Sequence, residues 1–223
     1  MDAKTDGEKL FKKYLDLHGY SYVYEEIIPG KSKVLDFKIF SKAGGDVFCE
    51  VKDIAPKYYS QVGTRDPHVR IRREIHDVGK QFQEYRENIC CLILSSQDYE
   101  GAPIWEPFVV FGAMLGNLSF CFDFDGESLS GGRLGFGKGG KMFGPSGKIQ
   151  NTTFSAILVP SFTEDKKLRV VVHENPFSRK NLPRSIFCGP YDVRWAIIND
   201  TPNVVFRGEK VSDRDGVIKF SGQ

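Results

Sequence analysis

Two carboxylates and a lysine, set into neighbouring apolar segments, are the residues in this chain best suited to chemistry. Asp36 interrupts the run VLDFKIF at 34–40, and Glu50 and Lys52 interrupt VFCEVKDI at 47–54. Side chains alternate along a strand, so Phe48, Glu50, Lys52 and Ile54 are expected on one face. Placing a carboxylate and an ammonium on a mostly apolar strand is costly without a partner or a task. Hard divalent cations such as magnesium take oxygen ligands, commonly one or two carboxylates with water and phosphate oxygens. Asp36, Glu50 and the carbonyl of Val51 could supply such a set for magnesium or manganese. A cation bound there polarises a phosphoryl oxygen and lowers the pKa of an attacking water. Lys52 is placed to orient that water or to offset charge developing on the phosphate.

The two runs are joined by Gly44-Gly45 and read as a β-hairpin. Asp36 reaches the face of Glu50 and Lys52 only if the connecting loop has an odd number of residues or a bulge intervenes. A three-residue loop Ala43-Gly44-Gly45 meets that condition, and sets Asp36 opposite Lys52 and Lys38 opposite Glu50. The alternative is structural: cross-strand ion pairs on a solvated face, each worth about 0.2–1 kcal/mol.

Other elements must position these groups. A helix is predicted over 5–18, opened by the capping-box pattern Thr5…Glu8 and carrying Leu10, Phe11, Tyr14, Leu15 and Leu17 as its apolar stripe. Tyr20 to Ile28 has strand character and is closed by Pro29-Gly30. A second helix is expected from His68 to Glu87, with Ile71, Ile75, Val78, Phe82 and Tyr85 recurring at steps of three and four. Asn88 to Ser96 is a continuous apolar run, as in a strand buried on both faces. The helix before it suggests that this strand joins the sheet in parallel.

Asp36 followed by Glu50-Val51-Lys52, in the order helix, three strands, helix, strand, resembles the PD-(D/E)XK nuclease superfamily with its restriction-endonuclease-like fold. Leu35 stands where the name-giving proline would be. The resemblance covers about residues 5 to 97. It implies an α/β core with a mixed sheet and a magnesium- or manganese-dependent endonuclease that hydrolyses phosphodiester bonds, most naturally in DNA. Asp36 and Glu50 would hold the cation and Lys52 would serve the nucleophile or transition state. In nucleases of this type a first-helix glutamate often completes the metal site, which here would be Glu8, although its capping role explains it equally well. A polar residue on the second helix often faces the site; Gln81 is the candidate, with Lys80 second.

Residues 57–73 carry five Lys/Arg against one Asp. Lys57, Arg65, Arg70, Arg72 and Arg73 are interleaved with Tyr58, Tyr59 and His68, a composition that can neutralise phosphates and stack on exposed bases. A solvated loop and charged helix start is the plain reading. The whole chain has a net charge of +2 and a pI near 8.2, so nucleic-acid contacts must come from such local patches.

Five cysteines form no CxxC pair, which argues for a reducing compartment and against a zinc ribbon. There is no apolar stretch of 18 residues and no signal-peptide core, so a cytoplasmic protein without a membrane partner is expected. The histidines and cysteines form no metal-ligand or Cys–His signature. The second half, 98–223, is expected to be β-rich and packed on the core formed by 1–97, with strands at 107–115, 118–124, 152–160, 168–173, 194–198 and 204–207. Residues 126–147 hold nine glycines in 22 positions and read as a mobile loop. Its G-x-x-x-x-G-K and GxGxxG matches lack the following helix that phosphate binding needs. Two function classes remain: a nuclease, or a catalytically inactive module of the same fold that binds nucleic acid or a protein partner. Two-strand cutting by a single-site nuclease requires a homodimer or successive nicks.

Overall fold

The computed structural model describes residues 3–41, 45–54, 68–96, 104, 106–124, 126–143, 147–198 and 201–207. The protein is α/β, with three helices and a mixed sheet among the described residues. Helix α1 is Asp6–Leu17; strands β1 (Tyr22–Tyr24), β2 (Phe37–Ile39) and β3 (Val47–Asp53) follow. Helix α2, His68–Phe82, runs through a single 3-10 turn at Gln83–Tyr85 into β4, Ile89–Ser95. Then come α3 (Pro107–Leu115), the pair β5 (Gly116–Phe124) and β6 (Leu129–Gly139), and β7 (Ala156–Phe162), β8 (Leu168–Glu174), β9 (Val193–Ile198) and β10 (Thr201–Arg207).

The main sheet has the order β1-β2-β3-β4-β7-β8-β9-β10, and β5 and β6 form a separate hairpin. β1, β2 and β3 pair antiparallel; β3, β4 and β7 run parallel, as expected for a strand that follows a crossover helix. All seven residues of β4 are buried, because the sheet is covered on both faces. Phe11, Tyr14 and Leu15 of α1 pack with Phe37, Cys49, Val51, Cys91 and Ile93 on one face. Ile71, Ile75, Val78 and Phe82 of α2 pack with Phe48, Leu92 and Leu94 on the other, together with α3. The alternation that sends Val47, Cys49 and Val51 towards α1 sends Phe48, Glu50 and Lys52 towards α2.

Three expectations are corrected. Residues 107–115 form a helix rather than a strand: PFVVFGAML is apolar on every side, and periodicity cannot separate a buried helix from a buried strand. Pro107 lies in its first turn, and Gly116 ends it at φ 121°, a left-handed value that favours glycine. The glycine-rich stretch 126–147 contains β6, whose glycines lie across from Gly116 and Ser119 of β5. The β2–β3 register is also two residues away from the one expected. Phe37 pairs with Cys49, Lys38 with Phe48 and Ile39 with Val47, so Asp36 falls opposite Glu50 and not Lys52. Lys38 does not face Glu50; its ammonium lies 2.9 Å from Glu26 and 3.6 Å from Asp46. The odd parity of the loop holds, whereas Ala43 and Gly44 of the expected turn lie outside the described residues. Among the described residues, no helix is long and apolar enough to cross a membrane.

Candidate active site

β3 brings Glu50 and Lys52 to the α2 face near the end of its pairing with β2, and Asp36 precedes β2 at the same point. Asp36 Oδ2 accepts a hydrogen bond from the Val51 N–H at 2.7 Å, so the carboxylate takes a β3 donor beyond the last β2–β3 pair. The N–H and C=O of one extended residue project to the same side, which turns the Val51 carbonyl towards the edge where Asp36 lies. Burial and the charge of Glu50 push the Asp36 carboxyl up to about 7, against the opposing Val51 N–H. The charge of Glu8 adds to that rise. Asp36 is thus within reach of the charges of both Glu50 and Glu8.

Glu50 is 5% exposed, and its Oε1 is used twice. Lys52 Nζ donates to it at 2.6 Å and Gln81 Nε2 at 3.1 Å. Its Oε2 is buried and has no hydrogen-bond partner, and neither does Gln81 Oε1. Burial alone would lower the pKa of Lys52, but the hydrogen bond and charge of Glu50, with the charges of Asp36 and Glu74, hold it above the ordinary value. The ammonium is thus retained as a charge beside two carboxylates.

Glu8 serves first as a cap. Thr5 accepts from the Glu8 N–H, and Glu8 Oε2 accepts from Thr5 N–H at 3.2 Å, Lys4 N–H at 2.6 Å and Tyr24 O–H at 2.6 Å. Burial works against its charge, yet these three donors hold its carboxyl below the usual range. It stands next to the site as a fixed anion whose oxygen is already engaged.

A cation at this point fits the donor chemistry. Two carboxylates, that of Glu50 with one buried oxygen unpartnered, and the Val51 carbonyl are a hard-oxygen set. Among the described residues no group of three His, Cys, Asp or Glu side chains is gathered to hold a metal, so a cation here would rely on water and substrate oxygens for the remaining positions.

The basic residues disperse. Arg70 Nε donates to Glu74 at 2.8 Å, and Arg72 donates to the Gly112 carbonyl at 3.3 Å and to Asn117 Oδ1 at 2.7 Å, which ties α2 to α3 and β5. Arg73 lies 3.8 Å from Asp77 with its side chain 73% exposed. Lys57 and Arg65 lie outside the described residues. Glu74 is the residue to which the motif assigns no role. It is 8% exposed and seven residues before Gln81, hence on the same face of α2, and that seven-residue spacing was the signal available in the sequence.

Comparison with known proteins finds no family model that matches this chain and no curated protein similar to it.

Proposed function

We propose that the chain is a metal-dependent nuclease that hydrolyses phosphodiester bonds, with DNA as the expected substrate. The observation that carries this reading is the meeting of Asp36 and Glu50 across β2 and β3, with Lys52 on Glu50 and a buried Glu50 oxygen left bare. The order helix, three strands, helix, strand supports the restriction-endonuclease-like arrangement in which such a site belongs. Asp36, Glu50 and the Val51 carbonyl would hold magnesium or manganese, which when bound supplies positive charge to the phosphate and acidifies a water. Lys52 holds a second positive charge where the phosphoryl oxygens become more negative. Gln81 fixes the Glu50 carboxylate, and Glu8 keeps the surroundings of Asp36 anionic. Arg70, Arg72 and Arg73 on α2 would meet the nucleic-acid backbone only through what their internal partners leave available.

The test is cleavage of single- and double-stranded DNA and RNA with magnesium, manganese or EDTA, alongside Asp36→Ala and Lys52→Ala. We expect cleavage that EDTA abolishes and that each substitution lowers by about 100-fold or more, the scale of losing one preorganised charge at a developing anion. Binding without cleavage of any substrate, indifferent to metal, would favour a module that keeps the fold and has no chemistry.

A further inference from the structure

We propose that the cleft between the start of β7, the end of β8 and β9 is a binding site for a small organic carboxylate, an assignment independent of the nuclease reading. The cleft measures about 260 Å³, and Ser155, Glu174, Asn181, Leu182, Arg184 and Ile197 are among the residues that line it. That is just below the range of about 300–1,000 Å³ for ligand pockets, which points to a small molecule. It is separate from the Asp36–Glu50 site, since β4, β7 and β8 lie between β3 and β9 in the sheet.

The wall of the cleft is fastened without a ligand. Arg194 is 1% exposed and donates to Glu174 and to the carbonyls of Leu182, Pro183 and Ile186, which fixes the backbone on both sides of Arg184. The Ser155 and Ser178 hydroxyls both donate to the Lys180 carbonyl, and Asn175 Oδ1 accepts from the Phe177 N–H. A wall held in this way needs little ordering on binding.

Against that tied backbone, two polar side chains are unspent. Arg184 and Asn181 line the cleft, and neither side chain makes a hydrogen bond or ion pair among the described residues. Glu174, the one carboxylate among the described lining residues, already lies 3.2 Å from Arg194. Two guanidiniums therefore share one carboxylate. Burial holds the Arg194 guanidinium below its ordinary value, and the charge of Arg184 adds to that fall. An anion in the cleft removes the imbalance, and a guanidinium takes a carboxylate through two parallel hydrogen bonds. A single negative charge balances the set, whereas a phosphate dianion would add a second beside Glu174. Glu174 can accept an O–H or N–H next to the ligand's carboxylate, and Leu182 and Ile197 suit a short apolar tail. An exposed arginine without a partner is ordinary, and Arg179 on the same loop is one, but it does not line the cleft. Arg184 differs in standing on a fixed wall beside a second, buried guanidinium.

The test is titration of the isotope-labelled full chain with 2-hydroxy-4-methylpentanoate, followed by backbone NMR shifts. The neutral amide of the same acid lacks the charge, and inorganic phosphate supplies charge without the tail. We expect saturable shifts at Asn181, Arg184 and Ala196, with Glu50 and Lys52 unmoved. Arg184→Gln should weaken binding of the acid about tenfold or more, the scale of one charge-assisted hydrogen-bonded pair, and Arg179→Gln by less than about twofold. The neutral amide should bind at least about tenfold more weakly than the acid. Both arginines are exposed, so neither substitution opens the core. No binding of the acid overturns the proposal, as do equal weakening in the two arginine variants, equal binding of the neutral amide, or shifts centred on Glu50. Phosphate binding tighter than the acid at the same residues would overturn the assignment to a carboxylate.

Discussion

Asp36 is half-buried within reach of the charges of Glu50 and Glu8, and burial and the Glu50 charge push its carboxyl up to about 7. The folded protein therefore binds a proton that the unfolded chain has already released at neutral pH. A raised carboxyl pKa contributes no penalty below the unfolded value near 4, and stability is lost as pH rises from there through 7. Asp36→Asn can still accept from Val51 and carries no charge. We expect it to be more stable than wild type at pH 7.5 in EDTA by about 2–4 kcal/mol, from the rule that one pKa unit is about 1.4 kcal/mol. The advantage should vanish by about pH 4, and urea unfolding at both pH values checks it. If the chain is the nuclease proposed above, the same variant is expected to be inactive, a trade of stability for chemistry. A less stable Asp36→Asn at pH 7.5 would mean that the acids do not repel one another as the structure implies.

Among the elements, α1 is held by contacts that leave no room at its first turn. A Cβ on Gly7 would come within 2.1 Å of Asp53 Oδ1 and 2.7 Å of Ser95 Cβ, at the ends of β3 and β4. Gly7→Ala must push the helix from the sheet or displace Asp53, and we expect a loss of about 1–3 kcal/mol, as for an overpacked core. Thr5→Ala removes one half of the capping box and should cost about 1 kcal/mol. Thermal melts of the two variants rank them: a Gly7→Ala protein as stable as wild type would show that α1 does not press on β3 and β4. The capping box was legible in the spacing of Thr5 and Glu8. The contact of Gly7 with Asp53 was not, because nothing local to either residue records that two segments 46 positions apart meet.

At the scale of the whole molecule, the halves of the chain are joined by the sheet and by buried polar links. β7 pairs with β4, and the buried Asp192 accepts from Tyr14 O–H of α1, from Gly189 N–H at 2.6 Å and from Val170 N–H at 2.8 Å. Residues 1–97 alone would expose the β7-facing edge of a strand that is buried along its full length. We expect that fragment not to fold, with amide exchange and circular dichroism as the readout. Arg194 is 1% exposed and donates to Glu174 and to the carbonyls of Leu182, Pro183 and Ile186. Arg194→Ala leaves Glu174 and three carbonyls without that donor and should cost about 3–5 kcal/mol in urea unfolding.

What the amino-acid sequence determined by itself was local: the capped first helix, the apolar stripe of α2, the β4 run, and the alternation that sets Glu50 and Lys52 on one face. These follow from side-chain periodicity and short-range hydrogen bonding, which act within one segment. Tertiary structure alone decided that Asp36 stands opposite Glu50, since strand register depends on both partners and on the connection between them. It also decided that 107–115 is helical, because an apolar run takes its form from what encloses it. The bare oxygen of Glu50 and the inward turn of Glu74 belong to the same category. Burial is a property of the surroundings of a residue, and those are assembled from segments far apart in the chain.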